Sequence, residues 1–242
     1  MKSRVRKKRD YRRIVGKFVF FSLVLAVIGI VIMICIAPSS DKAVGEHIHV
    51  KTDYTLMLTQ CVLGIIVLLL PGAIEKKISI EIPSMMMILY TLFIYASTFL
   101  GEVRNFYYTI PHFDTLLHTF SGGMLGALGF SVIAFLNDSD KIPVTLSPLF
   151  VAVFTFCFAL SLGAIWEIYE FLADGVLATN MQKFALEDGT NHIGRLALTD
   201  TMKDIIVDAL GGLAISIIGY ISLKYKKGWI EKLQIKKKHN VA

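Results

Sequence analysis

Charge is the first thing this chain lacks. Only 18% of its 242 residues are Asp, Glu, Lys or Arg, against 55% hydrophobic residues and a mean hydropathy of +0.62. Soluble domains run at about a quarter charged, so the scarcity argues against a soluble protein and for a membrane one. Cysteine is scarce as well. Cys35, Cys61 and Cys157 lie in apolar runs without metal-type spacing. That argues against a cysteine metal site and leaves three free, buried, structural residues. Internal repeats and low-complexity segments are absent, and the length suits one domain. The first apolar run lacks a small-residue cleavage site and is too long for a signal peptide, so it is expected to stay in place; "APSS" after it is the one contrary feature.

What is abundant is long apolar sequence. A bilayer core takes about 20 apolar residues per helix, and six segments qualify, near 17–37, 54–74, 82–101, 113–136, 147–173 and 201–224. The expected fold is therefore an all-α polytopic bundle of six transmembrane helices over 17–224. Basic tails flank it at 1–16 and 225–242. The net charge of +6 sits in those tails, which favours a topological role over nucleic-acid binding.

Lysine and arginine also give the orientation. Nine lie in the N-terminal tail through Lys17 and seven from Lys224 onward, joined by Lys76, Lys77 and Lys141 on the same side. Six remain for the other side: Lys42, Lys51, Arg104, Lys183, Arg195 and Lys203. The rich side is expected to be cytoplasmic, with both termini there, and the tails to touch anionic lipid headgroups. Membrane lipids are thus the expected partners and nucleic acid is not. On the outer side, residues 174–200 form a connection longer than a link requires. Loops beyond about a dozen residues are often functional.

With this topology the acids converge. Asp114 and His118 share a helix face at i, i+4 near the outer end of the fourth span. Glu167, Glu170 and Asp174 lie near the outer end of the fifth. Asp200, Asp204 and Asp208 repeat every four residues down the start of the sixth, a stripe about 12 Å long. Glu102 and Arg104 end the third span on the same side. An ionised group at the bilayer centre costs roughly 2.5–3.5 kcal/mol on insertion scales, so such groups normally face the bundle interior and mark a site. Asp174 and Asp200 are the likeliest to be simple helix-end acids, and Asp200 before Thr201 suits an N-cap.

Seven carboxylates (Asp114, Glu167, Glu170, Asp174, Asp200, Asp204 and Asp208) face few cations; Arg104, Lys203 and Arg195 are the expected neighbours. Clustered like charges in low dielectric do not all stay ionised unpaired. Protons or a divalent metal ion would relieve them, and carboxylates with one imidazole suit Mg²⁺, Mn²⁺, Ca²⁺, Zn²⁺ or iron. The candidate metal ligands are His118, Glu167, Glu170, Asp204 and Asp208. The candidate catalytic residues are Asp114, to orient His118 or act as base, and Glu167. Gly122 and Gly126, with Gly211 and Gly212 after Asp208, provide small faces for close helix packing. Trp166 and Tyr169 fit an interfacial belt.

The ordered motifs "FDTLLHTFSGG", "GAIWEIYEFLAD" and "LTDTMKDIIVDALGG" resemble the YjdF-like bacterial membrane proteins, over roughly 55–225. A looser pattern, D-x-x-x-H, an acid, then D-x-x-x-D-x-x-G, is similar to VanZ-like proteins, although the glutamate–glutamine pair after the histidine helix is missing. The resemblance implies a bacterial cytoplasmic-membrane protein and supplies no reaction. The residues themselves point first to a metal-dependent enzyme acting on a lipid or lipid-linked substrate at the outer face. A cation-coupled transporter is the second expectation and a structural or regulatory membrane protein the third. A carrier needs polar groups through the inner halves of the spans, where Gln60, Thr155 and Ser161 are few and poorly suited.

Overall fold

A computed structural model of the chain describes residues 10–38, 50–137, 146–177, 179–186, 190–230 and 233–237. Six helices are long and apolar enough to cross a membrane. They are α1 (Tyr11–Ile36), α2 (Lys51–Lys77), α3 (Ser84–Val103), α5 (Phe113–Asn137), α6 (Pro148–Leu177) and α7 (Thr199–Lys224). A one-turn helix, α4 (Phe106–Thr109), links α3 to α5, and a 3₁₀ turn at Gly194–Leu198 leads into α7. The basic tails at 1–9 and 238–242, together with Lys42, Lys141 and Asp188, lie outside the described residues.

The helices form two units. In the first, α1 packs on α2 and α3 through apolar side chains, with Val19, Leu23, Ile30, Met57, Cys61, Leu68 and Ile94 buried. In the second, α5, α6 and α7 pack through small residues. A methyl at Gly211 would run into the Thr119 carbonyl, and one at Gly122 into the Asp208 carbonyl. Helices approach this closely only where side chains vanish. Large apolar side chains such as Leu25, Ile66, Leu149 and Phe171 face outward, as a lipid-facing surface requires. Cys35 and Cys157 join them, so of the three free cysteines only Cys61 is buried. An apolar run does not say which face of its helix is inside, and that is why the expectation of three buried thiols fails.

Helix α1 starts at Tyr11, inside the basic segment, because the Asp10 side chain accepts from the Arg13 N–H at 3.3 Å. Arg12, the next residue after Tyr11, donates to both oxygens of buried Glu75, at 3.1 and 2.5 Å, and to the Ile82 carbonyl. Strand β1 (Ile80–Glu81) pairs antiparallel with β2 (Lys236–Lys237). These contacts hold the start of α1, the α2–α3 turn and the segment after α7 at one end of the bundle. The acid-bearing helix ends lie at the other. There α3 closes in a π-helical segment, Tyr95–Val103, and Asn105 and His112 take left-handed φ values of 60° and 61°. Such backbone irregularity concentrates at functional sites.

Candidate functional site

The buried stripe of α5 carries His118, Gly122 and Gly126; that of α6 carries Gly163, Glu167, Glu170 and Asp174; that of α7 carries Asp204, Asp208, Gly211 and Gly212. Glycines on all three helices make the room. A methyl at Gly163 would sit 2.7 Å from the Asp208 carboxylate, so that side chain is sandwiched between α5 and α6.

His118 lies at the centre. Its Nδ1 is 3.1 Å from Asp208 Oδ2, while Asp208 Oδ1 accepts from the Ser121 hydroxyl at 2.6 Å. Its Nε2 is 3.6 Å from Asp114 Oδ1 and 4.0 Å from Asp204 Oδ2. One donor atom each from Asp114, His118 and Asp204 falls within 4.8 Å of the others, a spacing that could hold a metal ion. The chemistry of the donors fits this. With Nδ1–H given to Asp208, the Nε2 lone pair points at two carboxylates. Lone pairs facing anions need a cation between them, whether proton or metal. A carboxylate on the far nitrogen of a metal-bound histidine is the usual support for such a ligand.

Not every expected ligand joins this triad. Asp208 sits on the Nδ1 side of the imidazole, and Asp114, expected to orient His118 or act as base, lies on the Nε2 side beside Asp204. Glu170 accepts from the Trp166 indole at 2.9 Å, which gives Trp166 a partner beyond a membrane belt. Glu167 is 3% exposed, and neither of its oxygens makes a hydrogen bond of ordinary geometry. Asp174 anchors the following loop, accepting from the Thr179 hydroxyl at 2.6 Å and from the Met181 and Gln182 N–H groups at 2.7 and 3.0 Å. Asp200 is no N-cap. Helix α7 begins one residue earlier at Thr199, and the Asp200 carboxylate turns to Lys183, 3.5 Å away.

Lys183 is the residue missed from sequence. Its ammonium contacts Asp114 Oδ2 directly and stands 5.3 Å from the Tyr107 ring centroid. Arg104, Arg195 and Lys203, the expected cations, are exposed. The length of the 174–200 connection was a signal, but nothing in a lone lysine within it predicts an inward turn. The backbone at Lys183 takes φ 46°, held by the Asp174 anchor, by Asn180 bonding both ways to Ala185, and by Gln182 donating to Thr201. Burial alone would lower the Lys183 pKa, but Asp114 and Asp200 outweigh it and hold the ammonium above its ordinary 10.5. Burial, then Asp114 and Glu102, push the Tyr107 phenol up. Both groups therefore keep their protons at neutral pH.

Fold and site together define a class: a six-helix membrane protein with a buried acid–histidine cluster at one end of a three-helix unit. Residues 20–225 match the family described as predicted membrane protein, DUF2238, and the chain belongs to that family. The YjdF-like resemblance agrees broadly with it, and the agreement does not extend to the VanZ likeness. The chain is also similar to an uncharacterised protein of Thermotoga maritima, with 27% identity over 153 residues covering 62% of this chain and 69% of that protein. No solved structure matches.

Proposed function

We propose that this is a metal-dependent enzyme of the bacterial cytoplasmic membrane, acting on a lipid or lipid-linked substrate from the outer leaflet. The observation that carries the reading is the His118 imidazole. Its Nδ1 is committed to Asp208, and its Nε2 faces Asp114 and Asp204. In this reading Asp114, His118 and Asp204 hold a divalent ion, which would polarise a substrate oxygen and acidify a water. Asp208 fixes the imidazole, Ser121 fixes Asp208, and Lys183 holds Asp114. In this reading both termini are cytoplasmic and the site faces the outer side, because the described basic residues Arg12, Arg13, Lys224, Lys236 and Lys237 lie at the end opposite the acids. Elemental analysis of the purified full chain in lipid nanodiscs tests the first claim. At least one bound divalent ion per chain is expected, lost in His118→Ala and Asp204→Asn. Wild-type protein that stays metal-free after incubation with Mg²⁺, Mn²⁺ and Zn²⁺ would sink the reading.

A cation-coupled carrier is the second reading, and one observation favours it. Gly163 meets Asp208 and Gly212 meets Ala159, so the antiparallel register of α6 and α7 sets Thr155 opposite Ser216 one turn further in. Both hydroxyls are buried without a hydrogen-bond partner among the described residues, which extends polarity inward from the site. A carrier should lose cation uptake into proteoliposomes in Thr155→Val/Ser216→Ala. No uptake by the wild type would remove this reading.

A further inference from the structure

The other buried carboxylates named above, Glu167 and Asp204 apart, each have a donor. Asp208 has His118 and Ser121, Glu170 has Trp166, Asp174 has three donors, and Glu75 has Arg12. Half-buried Asp114 and Asp200 share Lys183. Glu167 and Asp204 stand apart: both Glu167 oxygens and Asp204 Oδ1 are buried without a hydrogen bond of ordinary geometry among the described residues, and the Thr201 hydroxyl is the one donor close enough to act on Glu167. Glu167 is 3% exposed and Asp204 2%. Bulk water therefore does not reach them, and the protein's own donors leave these acceptor oxygens poorly compensated, which is costly.

The helix register sets the two carboxylates at one level of the bundle. Gly163 of α6 abuts Asp208 of α7. One turn outward along each antiparallel helix stand Glu167 and Asp204. Thr201, a further turn out on α7, lies beside Glu167, which also feels the charges of His118, Asp200 and Asp114. An ion in the Asp114–His118–Asp204 triad would engage Asp204 through Oδ2, whereas Glu167 lies outside that triad.

We propose a second divalent-cation site between Glu167 and Asp204 Oδ1, so that Asp204 bridges two ions. This rests on the metal reading of the first site. The donors are the two Glu167 oxygens, Asp204 Oδ1 and the Thr201 hydroxyl. An all-oxygen set selects hard ions such as Mg²⁺, Mn²⁺ or Ca²⁺, while the first site, with its imidazole, also accepts Zn²⁺. Carboxylate-bridged ions typically sit about 3.5–4 Å apart and clamp two oxygens of one substrate.

The full chain in nanodiscs, loaded with Mn²⁺ and freed of excess, separates the outcomes. Two Mn²⁺ per chain and a spin-coupled electron paramagnetic resonance spectrum are expected. Glu167→Gln should retain one Mn²⁺ with an uncoupled six-line spectrum, and that retained ion also reports an intact first site. Thr201→Val should weaken the second ion by roughly tenfold and the first, which Thr201 reaches only through Gln182 and the Lys183 loop, by less, and Glu167→Asp should restore two. One Mn²⁺ in the wild type, unchanged by Glu167→Gln, overturns the second site and leaves the first standing. No Mn²⁺ in the wild type, with Zn²⁺ also absent, overturns the first reading itself.

Discussion

At the residue scale, the glycines decide whether the acids can meet at all. Gly211 of α7 lies against the Thr119 carbonyl and Gly122 of α5 against the Asp208 carbonyl, so added carbon meets rigid backbone and not a side chain that can rotate away. Gly29 of α1 has nothing within 4 Å of where a methyl would go. Gly211→Ala should therefore destabilise the protein by about 1–3 kcal/mol, the usual cost of overpacking, and lower its metal content. Gly29→Ala should be neutral or slightly stabilising because alanine is the better helix former. Thermal unfolding in detergent checks the pair; equal melting temperatures would show that α5 and α7 do not touch at Gly211. Much of this was legible in sequence. Asp114 and His118 at i, i+4, the aspartates every four residues, and Gly211 and Gly212 after Asp208 are periodic, and periodicity survives without coordinates. The division of labour around His118 was not legible. Which carboxylate reaches which ring nitrogen depends on how α5 and α7 rotate about their axes.

At the scale of elements, hydropathy found the six helices and missed what happens at their ends. Ends are set locally: the Asp10 side chain caps α1 early, the 3₁₀ turn Gly194–Leu198 leads into α7 at Thr199, ahead of Asp200, and Asp174 folds the loop after α6. That loop matters most, because it carries Lys183 to Asp114 and Asp200. Replacing Lys183 by Met leaves both carboxylates without their ammonium. A loss of about 1–3 kcal/mol is expected for charged hydrogen bonds of this kind, at the low end because the Lys183 side chain remains 24% exposed. The pH dependence has a definite sign. The folded-state pKa of Lys183 lies above its ordinary 10.5. Its contribution is therefore complete below that value and fades only as pH rises through the higher folded-state value. Unfolding followed from neutral pH upward should show the wild-type advantage over Lys183→Met persisting to about pH 10. An advantage that vanished by about pH 9 would mean that the ammonium is not held by its carboxylates.

The whole molecule separates its chemistry by half and by end. The α1–α3 unit is an apolar core with the buried-end ion pair Arg12–Glu75 and the exposed pair Arg13–Asp10 at the end where β1 meets β2. The α5–α7 unit packs on glycine and carries the acid–histidine cluster at the opposite end. The described basic residues of the two ends, Arg12, Arg13, Lys236 and Lys237 among them, lie toward the first end, so under the positive-inside rule the proposed topology has the β1–β2 end in the cytoplasm and the cluster outside. Cysteine labelling in intact cells tests this, in a background lacking Cys35, Cys61 and Cys157. Leu186, in the loop that carries Lys183, and Lys227, just after α7, are both exposed. Leu186→Cys should react with a membrane-impermeant maleimide in intact cells, and Lys227→Cys only after permeabilisation. The β1–β2 pairing and the Arg12–Glu75 contact tie the start of α1 to the segment after α7, so neither end can cross alone. The reverse labelling pattern would therefore invert the entire bundle. The cluster would then face the cytoplasm, and any substrate would have to come from the inner leaflet.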